Sequence, residues 1–406
     1  MPGLAHKAWV ENLLEQAGLD AVVAASPEHV FLLTGHSTWL ERQTRTWMVR
    51  PAGTGGHQAG FAVLTADGRV GLVVSPVVHG EAQARGVEYL RRYERTPDST
   101  GPVKALRELL ADMDAEDCRV GLERDGLDPT TATALPASWP DASLLLRLAR
   151  MVKSPEAIAR IRTATEGAEW ALDAIAREWP EFDDASAIQS RFRLLLAERG
   201  LEVDHFVYGT TAGGVGITEA PPGNPAQMLF IDAGARHRGF VSDVGVTFAA
   251  EPDDGGAGHV YAQALEVIQA GVAHLRPGVR ASAVADAMRD HVPHPALRAQ
   301  GHGLGIGIRE WPFFGHPSGE VLVEGNLRVP VDQLLQPGTV VNLEIGGHLP
   351  DDRSLQIECT YLIGESGAEA IVEQRRGSRW LVGEAGRTAP GPAPESPVPL
   401  GATALD

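Results

Sequence analysis

Apolar residues recur at helical spacing through WVENLLEQAG, and Gly18 ends that helix. A continuous apolar run, LDAVVAAS, follows with the length of a buried strand. HVFLLTG, GFAVLTADGRVGLVVS and VEYLRRY extend the strand pattern, and ADGR between two apolar runs marks a hairpin turn. VKALRELLADM reads as a helix and CRVGLE as another strand. This alternation predicts an α/β domain over residues 1–147.

The pattern changes after residue 147. Ser154 is an N-cap and Pro155 takes the first helical turn, and Ile158, Ile161, Ala168, Leu172 and Ile175 then recur at helical spacing. A second helix is expected over 184–198. The segment MLFIDAGARHRGFVSDVGVTF reads as two strands around a Gly-rich turn. HVYAQALEVIQAGVAHL is a helix that stops at Arg276-Pro277-Gly278, and SAVADAMRDHV is a shorter one leading to a loop, QGHGLGIGIRE. VVNLEIGG and LQIECTYLI are the final strands. Helices and strands in this order predict an α+β domain over 148–385, a curved antiparallel sheet covered by helices. Residues 386–406 are Pro-rich without periodicity and read as a disordered tail.

Composition narrows the function classes. A chain of 406 residues with 43% hydrophobic residues has material for two full cores. Its net charge of −18 argues against non-specific nucleic-acid binding. No apolar run reaches the length of a membrane span, and the first segment lacks a signal-peptide pattern. Cys118 and Cys359 are the only cysteines, so no disulfide framework is expected and the cytoplasm is the default compartment.

Five residues carry the candidate chemistry: Asp232, Asp243, His302, Glu344 and Glu358. All lie in or beside apolar, strand-like segments, where an unpaired acid is costly. Taken singly, each acid reads first as a salt-bridged or strand-edge residue. Together the four need buried positive partners, and the flanking segments supply few. Two divalent cations would cancel the charge, and oxygen plus imidazole donors suit Mn, Co, Zn or Fe. Asp232 and Asp243 are eleven residues apart across the GARHRG turn, a length that lets a hairpin bring both to one site.

These segments resemble the pita-bread metallopeptidase family of methionine aminopeptidase, prolidase (Xaa-Pro dipeptidase), aminopeptidase P and creatinase. FIDAG and GFVSDVGVTF resemble its Asp strand pair, GHGLG its His motif, and NLEIG and IECTYLI its two Glu strands. LARMVKSPEAIARIRTA is similar to the helix that opens its catalytic domain. The first 147 residues resemble the creatinase-type N-terminal domain. By this resemblance Asp232 chelates one metal, Asp243 and Glu358 bridge two, and His302 and Glu344 are terminal ligands. Glu344 is also the implied catalytic proton acceptor. The resemblance further implies a homodimer.

The chain departs from the family at two histidines that touch substrate or shuttle protons. The stretch GTTAGGVGITEAPPGNP, where the first belongs, holds none. His205 lies too far upstream to match, and Glu219 is the residue left to fill the space. The second belongs seven residues after His302, where Arg309 stands. Arginine stays charged and cannot relay a proton near neutral pH, but it can clamp a carboxylate by two parallel hydrogen bonds. Arg309 resembles the arginine with which creatinase holds its substrate's carboxylate; the other reading is a structural salt bridge with Glu310 or a ligand acid. Trp39, Arg42, Arg45, Trp47 and Arg50 are candidates to complete a partner subunit's pocket. Trp311, Phe313 and Phe314 suit a pocket wall or core packing equally. The expectation is a dinuclear metallohydrolase that cleaves a C–N bond in a short peptide or a small carboxylate-bearing substrate. A specialised amidohydrolase or lyase, and a non-catalytic binding protein on the same scaffold, are the competing readings.

Overall fold

The computed structural model describes residues 4–37, 60–94, 100–178, 182, 185–209, 215–216, 229–248, 257–315, 319–349 and 354–372. In its first part the elements run α1 (Lys7–Ala17), β1 (Ala21–Ala24), α2 (Pro27–Thr34), β2 (Gly60–Thr65), β3 (Val70–Val74), α3 (His79–Ala84), β4 (Tyr89–Arg92), α4 (Thr100–Asp112), β5 (Val120–Leu122), α5 (Pro129–Ala134) and α6 (Ser143–Ala149). The strands form one mixed sheet in the order β4-β3-β2-β1-β5, with β1–β2 and β2–β3 antiparallel and the two outer pairs parallel. β1, β2 and β3 are buried along their whole length, as strands covered on both faces must be.

One expected strand is a helix. HVFLLTG lies in α2, because cap signals at both ends outweigh the apolar run between them. Ser26 Oγ accepts from the His29 N–H at 3.3 Å, Pro27 sits in the first turn, and Gly35 closes the helix in the left-handed region at φ 71°. Burial on nearly every side removes the polar positions that would have displayed a helical period.

The end of β5 fastens α2. The buried Glu123 carboxylate accepts from the Ala25 and Ser26 N–H groups at 2.7 and 2.9 Å and lies 2.6 Å from His29 Nδ1. Burial acts to raise this carboxyl, but the His29 hydrogen bond and charge and the two backbone donors outweigh it, lowering it from the usual 4.5 to about 2. A folded-state value below the unfolded one contributes stability that is present above about pH 4.5 and lost as pH falls through 2. Glu123→Gln is therefore expected to remove ~3 kcal/mol of acid-side pH dependence. Denaturant unfolding of both proteins across pH 2–6 measures it; parallel curves would refute the assignment.

The second part runs α7 (Pro155–Glu178), α8 (Ala185–Glu198), β6 (Glu202–Gly209), β7 (Val215–Gly216), β8 (Leu229–His237), β9 (Phe240–Val241), β10 (Val244–Phe248), α9 (Ala257–Val272), α10 (Ala281–Arg289), β11 (Leu297–Gly303), β12 (Glu310–Phe313), β13 (Val321–Glu324), β14 (Leu327–Pro330), β15 (Val340–His348), β16 (Ser354–Ile363) and β17 (Ala368–Ala370). The Ser154 cap of α7 is present, with Oγ accepting from the Ala157 N–H at 3.2 Å. Two large antiparallel sheets result, β10-β8-β6-β7 (with β9 on β8) and β12-β11-β15-β16-β17, beside a two-stranded antiparallel β13-β14. They meet where β10 crosses β16: Thr247 Oγ1 donates to the Gln356 carbonyl at 2.9 Å and accepts from its N–H at 3.0 Å. α7 and α8 bury their apolar faces on the first sheet, and α9 and α10 cover the second. The expected His302 loop is instead the end of strand β11.

The two parts share a core. Leu4, Leu14 and Phe31 pack in one cluster with Phe240, Leu304, Trp311 and Val329. The Phe31 and Phe240 rings lie tilted with centroids 5.9 Å apart, and the Arg160 guanidinium lies 5.9 Å from each. Among the described residues no helix is long and apolar enough to cross a membrane. The C-terminal tail from residue 386 lies outside the described residues.

Candidate metal centre

The ligand candidates stand on strands that join the two sheets. Asp232 is on β8, opposite Gly245 of β10 and Val207 of β6. The β8–β9 hairpin turns through Arg238 and Gly239, both at positive φ (46° and 89°), a pair suited to a two-residue turn. Regular pairing then breaks at Ser242 and Asp243. Ser242 Oγ accepts from the Ala235 N–H at 2.9 Å, which fixes the break. Asp243 therefore sits between strands, not within one, and is buried. Glu344 on β15 and Glu358 on β16 are direct cross-strand partners. His302, two residues beyond Glu344's partner Gln300 on β11, projects from the same region.

The structure brings the five side chains together. His302 Nδ1 faces the Gly303 carbonyl at 3.1 Å, which leaves Nε2 toward the acids, 3.4 Å from Asp243 Oδ2 and 3.7 Å from Glu344 Oε1. The Gln356 amide donates to Asp232 Oδ2 at 3.2 Å and also to Glu358 Oε1. Asn342 donates to Glu358 Oε2 at 3.1 Å. Gly245 leaves room for this packing, since a Cβ there would lie 2.5 Å from Glu358 Cγ.

The charges are under strain. Burial, and then the charges of Asp243, Asp232 and Glu344, push the Glu358 carboxyl well above the usual range. Burial also raises Glu344. Burial acts to raise Asp243 as well, yet the adjacent His205 imidazole and then the charge of His302 hold it below the usual value. Three buried atoms here lack a hydrogen-bond partner: Asp243 Oδ1, His302 Nε2 and Glu344 Oε1. Orphaned acceptors and an orphaned imidazole nitrogen facing one another are what a cation-binding site requires. The donor set fits divalent metal.

His205 belongs to the same place, although sequence spacing set it aside. Its Nε2 is 3.0 Å from Asp232 Oδ1 and 3.3 Å from Asp243 Oδ1, the latter without hydrogen-bond geometry. Burial would lower this imidazole, but the surrounding carboxylates of Asp204, Asp232 and Asp243 outweigh it and carry it up to about 11. Distance along the chain misled because β6 and β8 are paired neighbours, so register decides which residues meet. The available signal was a His-Asp pair inside an otherwise apolar strand.

Arg309 lies at the rim. Its side chain is 58% exposed, with Nη2 3.8 Å from Glu344 Oε1. Glu310 does not serve it: that carboxylate is taken by Arg150, Lys153 and the Gly307 N–H. Trp311 and Phe314 are buried in the two cores, and Phe313 packs on Trp311 at 5.6 Å, so core packing accounts for all three. His237 is at the β8–β9 tip and His348 beside Phe230, neither in contact with the acids. Trp39, Arg42, Arg45, Trp47, Arg50, Glu219 and His316 lie outside the described residues. A cleft of about 460 Å³ lined by Gly18, Arg119, Trp139 and Glu324 is remote from the acids.

Comparison with known proteins identifies the family and the fold. The sequence model of "Metallopeptidase family M24" matches residues 160–365, and that of "Creatinase/Prolidase N-terminal domain" matches residues 9–162. The chain is 22% identical over 378 residues to the uncharacterized peptidase YqhT of Bacillus subtilis, covering 89% of this chain and 96% of that protein. It is 25% identical over 240 residues to the Xaa-Pro dipeptidase of Pyrococcus furiosus, covering 56% of this chain and 64% of the relative. The structure of the Xaa-Pro dipeptidase from Bacillus anthracis superposes with a TM-score of 0.65 at 17% identity, over 93% of this chain and 98% of the other, which establishes the shared fold. A creatinase-type N-terminal domain precedes a pita-bread domain in which the acids converge, and the chain belongs to metallopeptidase family M24, a family of hydrolases.

Proposed function

We propose that the protein is a dinuclear metal-dependent hydrolase that cleaves a C–N bond in a short, carboxylate-bearing substrate of the Xaa-Pro dipeptide type. The observation that carries this reading is the convergence of four carboxylates and His302 around three orphaned buried donor atoms. Asp232, Asp243, His302, Glu344 and Glu358 would hold the cations. When bound, two divalent ions (Mn, Co, Zn or Fe) neutralise the acids, polarise the scissile carbonyl and activate water.

The chain's own groups do the rest. Glu344 Oε1, orphaned and raised by burial, accepts and returns the proton at the reacting centre. Gln356 and Asn342 fix Glu358 by donating to its two oxygens, which keeps the cluster's shape. Arg309 offers its guanidinium at the rim and clamps the substrate's terminal carboxylate. The catalytic unit spans 148–385 behind an N-terminal unit of 1–147, and the working form is a homodimer, carried over from likeness to two-domain members.

A second reading keeps the site and changes the substrate. Arg309 stands where a proton-relaying histidine is expected, and a permanently charged group favours a small N-substituted amino acid over ordinary peptides. Elemental analysis of protein purified without chelator should find about two equivalents of metal per chain, as a two-metal site requires. Hydrolysis of Xaa-Pro dipeptides by that protein supports the dipeptidase; turnover only of small N-substituted carboxylates supports the second reading. Absence of metal even after reconstitution would leave a metal-free creatinase-like enzyme or a binding protein. Arg309→Lys keeps the charge and loses the fork, so KM should rise roughly 10-fold or more. An unchanged KM would remove the clamp.

A further inference from the structure

His205 is built into the centre by its surroundings. The β6–β8 register shifts between Val203 and His205, an irregularity of the kind that re-aims a side chain. His205 then faces Gly234, where a Cβ would lie 2.4 Å from the ring's Cε1 and 2.7 Å from Nδ1. Any larger residue at 234 would occupy the space of the imidazole. Nδ1 is held by Asp204 Oδ2 at 3.1 Å, and the other Asp204 oxygen takes the Arg236 guanidinium. The ring is thus fixed at one nitrogen, and the other is presented to Asp232 Oδ1 at 3.0 Å and Asp243 Oδ1 at 3.3 Å. One donor atom from each of His205, Asp232 and Asp243 lies within 4.8 Å of the others.

A carboxylate on one ring nitrogen, with the opposite nitrogen turned toward further donors, is the arrangement that orients metal-ligating histidines. A histidine serving only as counter-charge to Asp232 would not need a second, arginine-backed carboxylate behind it. We infer that His205 is a sixth protein ligand, binding through Nε2 the cation held by Asp232 and Asp243, with Asp204 and Arg236 as its positioning residues. The inference rests on the dinuclear reading above. It adds a nitrogen donor to one of the two positions, which makes that position more selective for Co or Zn over Mn.

The test uses the full chain, stripped of metal and titrated with Co(II), followed by calorimetry and visible absorption. His205→Ala should weaken one of two Co(II) equivalents by roughly 100-fold or more and change the absorption band, because a nitrogen donor is lost. Asp204→Asn should weaken the same equivalent by roughly 10- to 100-fold and leave the band unchanged, because the ligand set is kept. His205→Gln serves if the alanine variant fails to fold, with metal-free circular dichroism as the check. Two equivalents bound with the same affinities and spectrum in wild type and a folded His205 variant would overturn the inference and leave the dinuclear reading intact. A second equivalent gained only when His205 is removed would also overturn it, making the imidazole a stand-in for the cation. Failure of every form to bind Co(II) would sink both.

Discussion

Asp243→Asn is expected to fold normally, lose at least one of two metal equivalents, and fall roughly 10³-fold in kcat/KM, or ~4 kcal/mol of transition-state stabilisation. The amide keeps the volume and one acceptor oxygen but removes the charge that faces both His205 and His302. In the metal-free protein the substitution relieves Glu358, since Asp243 is the first charge to act on it after burial. It also weakens the attraction to the two imidazoles, so metal-free stability should change by no more than about 1 kcal/mol. Metal content, steady-state kinetics and unfolding in chelator measure the three parts. Full metal and full activity in the variant would end the dinuclear proposal.

Glu310→Gln should cost about 3–5 kcal/mol of stability, because it strands a buried cation. Glu310 and Lys153 side chains are each 2% exposed and lie 3.2 Å apart. Arg150 adds Nε and Nη2 contacts to Glu310 Oε1 at 2.8 and 2.5 Å, and the Gly307 N–H donates to the same oxygen at 2.8 Å. Burial lowers Lys153, and burial acts to raise Glu310, which the charges of Lys153 and Arg150 reverse. The network joins the residues before α7 to the segment between His302 and β12. Arg309 is the last residue of that segment, so the variant should also raise KM. Denaturant unfolding gives the energy; a loss below about 1 kcal/mol would show that Arg150 reaches water and that the pair carries little.

Much of the centre was readable because carboxylates in apolar strands are conspicuous. Asp232, Glu344 and Glu358 stand in runs such as LFIDAG and NLEIG, where an acid without a partner has no place. His302 was marked by the glycines around it. The elements with clean periods or clear caps, α1, α7 and the β2–β3 hairpin, also lie where the pattern puts them. The helix α2 carries no legible period because burial on nearly all sides erases it, and its end caps are the only signal left.

What escaped was long-range. Lys153 and Glu310 are 157 residues apart, and nothing near either indicates the other. His205 and Asp232 are separated by 27 residues, yet β6–β8 pairing makes them neighbours. Local sequence reports which face of an element is buried, since burial selects residues at periods of 2 or 3.6. It therefore determined the acids, the imidazole His302, the caps and the order of those elements that keep a clear period. It carries no comparable record of which strand lies alongside which, or in what register, because those pairings are settled by the packing of the whole chain. The tertiary structure alone decided that His205 enters the centre, that Asp243 sits at a break in pairing, and that Glu310 turns away from Arg309 toward Lys153.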